Sequence, residues 1–213
     1  MISQKKAIKI IEMMCEMYPE AHCELVHQNA FELTIAVLLS AQTTDKSVNA
    51  LTLDLFAKYK TPQDYINISI EELELDLKKI GLYKTKAKNI KRLCELLIEN
   101  FDSTIPNDYD SLISLPGVGR KTANVVLSVW FNVPRIAVDT HVERISKRLK
   151  MANLKDDVLK VEEKLMYLLP EEMWSVAHHA MIFFGRYHCK SKNPNCEDCP
   201  LKEMCAYTKK SHQ

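Results

Sequence analysis

Two groups of residues in this chain have types and spacings that could do chemistry. The first centres on a lysine. Lys121 follows directly on Leu115-Pro116-Gly117-Val118-Gly119-Arg120. With a helix on either side, Leu-Pro-Gly-Val-Gly makes a tight turn. Its amides, together with the unpaired N–H groups at the start of the second helix, form an anion site that a DNA phosphate fits without sequence readout. An ordinary helix–helix turn accounts for two glycines as well. Lys121 then sits in the first turn of the second helix, where a cation is electrostatically out of place. A solvated surface lysine tolerates this. A catalytic one exploits it, since the helix N-terminus, Arg120 and partial burial would all favour the neutral, nucleophilic amine. Asp139, 18 residues on, precedes Thr140-His141-Val142-Glu143. Spacing alone favours a helix N-cap for it. The alternative is a carboxylate facing the lysine across a cleft, able to stabilise a cationic sugar or move protons.

The second group is Cys189-x6-Cys196-x2-Cys199-x5-Cys205, four thiols within 17 residues, with Pro194 and Pro200 shaping the loop. Structural zinc more often uses two close pairs separated by a longer insert. One Cys-x2-Cys pair with a single ligand on either side suits a compact loop wrapped round a [4Fe–4S] cluster. Zinc remains the alternative. The chain has seven cysteines, an odd number for a disulfide framework,. Of the other three, Cys15 and Cys94 fall in helical patterns, where a small buried hydrophobe is the default.

The elements that must position these groups read almost everywhere at the helical period. Ile8, Ile11, Met14, Cys15 and Tyr18 mark a helix ending before Pro19. Residues 31–41 are nearly all apolar, as in a helix buried on most sides. Asp45 is placed to cap a helix running to about Tyr59, and Gly81 to end one over 70–80,. Further helices fit 84–100, 109–114, 121–131, 140–150, 156–169 and 171–186. No sustained alternation suggests a sheet, so the fold class is all-α. Only four glycines occur, two of them in the one five-residue turn.

The composition, 46 % apolar and 27 % charged over 213 residues, is that of a soluble globular protein,. No apolar run approaches a membrane span, and residues 1–6 lack the pattern of a signal peptide. A cytoplasmic location is expected, on the nucleoid if the source is bacterial. The net charge is only +1, so charge as a whole does not announce nucleic acid,. Its distribution says more: Lys84, Lys86, Lys88, Lys91 and Arg92 form a run free of acids. Arg120, Lys121, Arg135, Arg144, Lys147, Arg148 and Lys150 form a second set, against Asp139 and Glu143. One basic face is the reading, and scattered solvated charge the alternative.

Taken together, the chain resembles the endonuclease III family, DNA glycosylases with AP-lyase activity within the helix-hairpin-helix superfamily. The resemblance rests on Leu115 to Val126, on Ile136-Ala137-Val138-Asp139-Thr140-His141-Val142 and on the four-cysteine loop. It is supported by Phe31 to Gln42 and Ile80-Gly81-Leu82-Tyr83, and covers essentially the whole chain. It implies a two-domain all-α glycosylase fold: a six-helix barrel over 22–133, with the hairpin at about 109–131, and a [4Fe–4S] domain from 1–21 and 134–213. Double-stranded DNA with damaged pyrimidines or abasic sites would bind in a cleft between them, to a monomer. It implies Lys121 as the Schiff-base lysine, Asp139 as the essential aspartate, and Cys189, Cys196, Cys199 and Cys205 as cluster ligands. Leu115, Gly117, Val118, Gly119 and Arg120 would meet the DNA backbone, while Gln42 and Leu82 would fill the space left by a flipped nucleotide. Ala30 stands where many members have proline and Asn132 where many have glycine, so both loops are expected to differ. The adenine-mismatch branch lacks the lysine and the thymine-mismatch branch has tyrosine there, so Lys121 argues against both. A non-catalytic DNA-binding module and an iron–sulfur electron carrier are disfavoured by the Lys121–Asp139 pair and by the hairpin.

Overall fold

The computed structural model describes residues 2–207, which hold eleven α-helices and no strand. They form two compact units. One is Cys23–Asn132; the other combines the segments up to His22 and from Val133 onward. The second unit opens with α1 (Gln4–Met17), capped by Ser3 and ending before Pro19 as its period predicts.

The Cys23–Asn132 unit is built round α2 (Ala30–Leu39). Nine of its ten residues are buried, which explains its lack of a polar face,. It packs against α3 (Asp45–Lys58), α6 (Tyr83–Asn100) and α8 (Arg120–Val129). In α6 the residues Ala87, Ile90, Leu93, Cys94 and Leu97 fall on one face and are buried, in part against α4 (Pro62–Asn67) and α5 (Ile70–Leu77). α7 (Tyr109–Ser114) leads into the hairpin. The six-residue α4 is too short to show a period. Pro62 at its first position and a reciprocal capping box between Thr61 and Asp64 stabilise it instead,.

Some helix ends differ from the sequence reading. Thr44, not Asp45, caps α3. α5 stops at Leu77, and turns lead to Gly81. The two residues that depart from the family pattern keep suitable backbone states. Ala30 is the first residue of a helix already capped by Asn29, a position open to proline,. Asn132 takes φ 55°, the left-handed state that glycine supplies and that asparagine tolerates best among the others,.

The other unit joins α1 to α9 (Thr140–Arg148), α10 (Val158–Leu168) and α11 (Trp174–Phe183). Ile10, Ile11 and Met14 of α1 meet Val142, Ile145, Val161, Leu165, Ala177 and Met181 in one core. The helix expected over 171–186 is divided: a 3-10 turn at Glu171–Met173, then α11, then a π-turn at Phe184–His188 that delivers Cys189. No helix of the described residues is long and apolar enough to cross a membrane.

Candidate active site and metal centre

The hairpin between α7 and α8 divides its labour by residue. Leu115 and Val118 turn their side chains into the core, and the Val118 N–H donates to Leu115 O at 3.0 Å. That amide is therefore committed to the turn, contrary to the expectation that the turn's amides are open. The two glycines differ as well. Gly117 has φ 79°, and a Cβ there would lie 2.7 Å from Leu38 Cδ1 and 3.0 Å from Asn89 Nδ2, so the fold itself requires glycine,. A Cβ on Gly119 would meet nothing within 4 Å. Nothing in the protein forbids a side chain at Gly119, and its bare backbone faces open space.

Gly119 is also the N-cap of α8, and no side chain caps that helix. Ser3, Asn29, Thr44, Thr61, Ser69, Asp108, Asp139 and Asp157 each cap a helix of their own. The first turn of α8 thus presents N–H groups and the positive end of the helix dipole outward. Arg120 is exposed, with its guanidinium 5.6 Å from the Tyr109 ring centroid and Nη1 donating to Tyr109 Oη at 3.3 Å. Lys121 is exposed too. The partial burial expected of it is absent.

Gln42 and Leu82 lie in the same unit, exposed and both left-handed, at φ 55° and 58°. Leucine seldom adopts that conformation, and its 53 % exposure forgoes burial as well,. Two such costs in exposed loops mark these residues as held for something other than packing.

Several cations of the two basic sets have internal uses. Lys86 is buried, Lys91 Nζ donates to the carbonyls of Tyr65, Ile66 and Ile68 at the end of α4, and Arg92 pairs with Glu95. Only Lys84 and Lys88 of that run are exposed without such use. In the second set, Lys147 pairs with Glu143, while Arg144 and Arg148 bind the cysteine loop. Sequence proximity of like charges hid these internal partners.

Asp139, in the other unit from Lys121, is the N-cap of α9, as its spacing predicts. Its Oδ1 accepts from both His141 N and Val142 N at 2.8 Å, which leaves Oδ2 outside the cap. Burial holds His141, two residues on, below the usual histidine value, against the opposing pull of Asp139. Arg144 Nη2 lies 3.2 Å from His141 Nδ1 and donates to Gly185 O and Cys189 O at 2.9 and 3.0 Å. A Cβ on Gly185 would come within 2.8 Å of His141 Cβ, so this glycine lets the π-turn lie against α9. The helix that begins at Asp139 is in this way tied to the cysteine loop.

All four cysteines of the loop line one cavity, with Arg148, Phe184, His188 and Leu201 among its other walls. Among the described residues none of the cysteines is disulfide-bonded, and no three Cys, His, Asp or Glu side chains converge as they would on a single ion. Four thiols round one cavity are a donor set that fits an iron–sulfur cluster held by four cysteines,. Burial and the neighbouring thiols push Cys196 and Cys199 above the usual thiol value, so four thiolates need compensating positive charge here. Arg148 Nη1 donates to Cys189 Sγ at 3.1 Å, and His188, whose buried Nε2 has no protein hydrogen-bond partner, is among the residues lining the same cavity. Both are suited to hydrogen bonds with cluster sulfur. Neither stands out in the sequence, where each looks like an ordinary surface base.

Comparison with known proteins agrees with this arrangement. Residues 35–171 match the HhH-GPD superfamily of base excision DNA repair proteins, and residues 189–205 match the iron–sulfur binding domain of endonuclease III. The chain is 56 % identical over 205 residues to the endonuclease III of Bacillus subtilis, covering 96 % of this chain and 94 % of that one. The chain belongs to the endonuclease III family. The Escherichia coli endonuclease III is 42 % identical over 98 % of this chain and 99 % of its own length. A trapped endonuclease III–DNA covalent intermediate, 55 % identical, superposes with a TM-score of 0.97 over the whole of both chains. A thermostable thymine-DNA glycosylase at 22 % identity shares the fold, with a TM-score of 0.86 over 97 % of each chain. As a member of the endonuclease III family, the protein is a base-excision repair DNA glycosylase and AP lyase with a [4Fe–4S] cluster bound in the cysteine loop.

Proposed function

We propose that Lys121 is the covalent nucleophile of this glycosylase/lyase and that its substrates are oxidised, ring-saturated or fragmented pyrimidines in duplex DNA. The observation that carries the reading is the start of α8: an exposed lysine on the one hairpin helix that lacks a side-chain cap, beside a glycine whose missing Cβ serves no internal contact. A phosphate taken up by those amides holds the strand beside Lys121 Nζ. The amine attacks C1′ of the damaged nucleotide, and the base leaves with the bonding electrons and gains a proton. The amine loses its proton, and ring opening gives an iminium between Nζ and C1′. The iminium acidifies C2′; loss of that proton and expulsion of the 3′ phosphate cut the strand by β-elimination.

Asp139 serves this sequence with the carboxylate oxygen its cap leaves over, stabilising positive charge on the sugar and accepting a proton,. Gln42 and Leu82 enter the duplex and occupy the space of the extruded nucleotide, a role that suits exposed side chains on strained turns,. Leu115 and Val118 anchor the hairpin from the core, and Gly117, Gly119 and Arg120 present its outer surface to phosphate. Covalent capture of a 55 % identical relative on DNA supports the Schiff-base step. The cluster cysteines order the loop, and no step passes through the iron.

Borohydride trapping tests the proposal. Incubated with a duplex carrying thymine glycol or an abasic site and then reduced, the protein yields a covalent DNA adduct, and Lys121→Gln yields none. An adduct formed equally well by Lys121→Gln overturns the assignment.

A further inference from the structure

The two left-handed residues Gln42 and Leu82 share a tether that neither sequence motif contains. Lys86 lies one turn into α6 and is 3 % exposed. Its backbone N–H donates to Leu82 O at 3.0 Å. Its Nζ donates to Leu39 O at 2.9 Å and to Thr43 Oγ1 at 3.0 Å. The Thr43 hydroxyl in turn donates to Ala41 O at 3.3 Å. The main-chain bond is the first of α6 and places Lys86 on the turn that Leu82 opens, and from there its side chain grips both flanks of Gln42.

A buried ammonium is a costly way to fill space, because a methionine of similar length would need no hydrogen bonds at all. The cost shows in the direction of its titration, since burial pushes Lys86 below the usual lysine value. The carbonyl it binds belongs to the last residue of α2, where the helix dipole welcomes a cation,. Two directed bonds span the base of the Gln42 turn.

We infer that Lys86 is a positioning residue that sets Gln42 and Leu82 in register with each other for entry into the duplex, an assignment that rests on the duplex-entry role proposed above for those two side chains. Without the tether, the φ 55° turn at Gln42 loses its polar hold on α6 and relaxes, and a small displacement of a positioned group is costly in rate,.

The test compares an abasic site in a duplex, where a strand partner must be displaced, with the same site in a single strand, where none is. Single-turnover cleavage is measured for the [4Fe–4S]-loaded wild type, Lys86→Met, Thr43→Val and Gln42→Ala. Thr43→Val removes the arm of the tether C-terminal to Gln42 and keeps the buried amine in place, and decides the matter if Lys86→Met does not fold. Lys86→Met and Thr43→Val are expected to lose roughly tenfold on the duplex and to stay within about twofold of wild type on the single strand. Gln42→Ala is expected to show the same split. Equal losses on both substrates make Lys86 a structural residue and overturn the inference. Wild-type duplex rates for Lys86→Met and Thr43→Val beside a slow Gln42→Ala overturn it alone. A Gln42→Ala protein at wild-type rate on the duplex removes the duplex-entry reading and the inference with it.

Discussion

The helix starts of α8 and α9 carry the two residues proposed for the chemistry, and they are built in opposite ways. α8 opens on Gly119 with no side-chain cap and sets an exposed lysine in its first turn. α9 opens on Asp139, whose single Oδ1 satisfies two of its amides. A capped helix start has spent its anion affinity on its own side chain; an uncapped one keeps it for a ligand. The α8 start is thus a receiving site and the α9 start a self-satisfied one, whose capping carboxylate is fixed in place with an oxygen left over. Rigid placement of a carboxylate and open reception of a phosphate are different tasks, and each helix start is built for the one proposed for it.

Asp139 is where the two tasks separate by the largest effect. Asparagine caps as well as aspartate, so Asp139→Asn is expected to unfold within about 0.5 kcal/mol of wild type while the single-turnover rate of base release falls by about 10²–10⁴. Asp139→Ala loses the same rate and, in addition, about 1 kcal/mol of stability with the cap. Rates from chemical quench and midpoints from denaturant unfolding separate the two. An Asn variant as unstable as the Ala variant would mean that the charge, not the cap, holds α9 in place.

Closing the open start comes next. In Gly119→Asp a carboxylate would cap α8 and occupy the place of a phosphate, in space that the structure leaves empty. Stability should rise by about a few tenths of a kcal/mol, while affinity for abasic duplex falls at least roughly tenfold through like-charge repulsion. Fluorescence anisotropy against salt concentration checks it: the variant should also show a shallower salt slope, by about 0.9 for each phosphate it no longer neutralises. Unchanged affinity in Gly119→Asp would sink the receiving-site account.

The two hairpin glycines carry the same contrast at lower amplitude. Gly117→Ala must hold an alanine at φ 79° against Leu38 and Asn89, and is expected to cost about 1–3 kcal/mol of stability. Gly119→Ala meets nothing, and should shift stability by less than about 0.5 kcal/mol. Thermal melts of both variants decide between a hairpin glycine pair kept for one reason and a pair kept for two.

How far the sequence spoke follows from the range of the forces involved. Helix period, caps and the crowding of four cysteines are local, so all-α class, Asp139 as a cap and the cysteine loop are readable from neighbours alone. The six-residue α4 left no period and is missing from the helices expected, although Pro62 and the Thr61–Asp64 box were a local signal for it. Burial is not local. Lys86 and Lys91 read as part of a basic run because nothing within a few residues shows that Leu39 O, or the end of α4, waits for each of them. The same holds for Arg148, whose thiol partner is 41 residues away, and for Lys121, whose exposure reversed the burial expected of it. Left-handed Gln42 and Leu82 could not be foreseen either, because leucine and glutamine give no propensity signal for that state,.

The smallest effect concerns acid. Asp108 caps α7, and the Ser111 backbone N–H bonded to it holds its carboxyl below the ordinary carboxylate value. A group depressed in this way adds stability above its unfolded-state value and loses it as pH falls through the folded-state value. Asp108→Asn keeps an oxygen for capping but no titrating charge, so its melting midpoint should lie slightly below wild type at neutral pH and converge on it in acid. α8 has no titrating cap, so its start contributes nothing of this kind. Gly119→Asp would import it. The small stability gained by that variant at neutral pH should fade over the same acid range in which Asp108→Asn meets wild type. A gain that persists in acid would show that the new side chain stabilises the start of α8 through its neutral oxygen rather than through its charge.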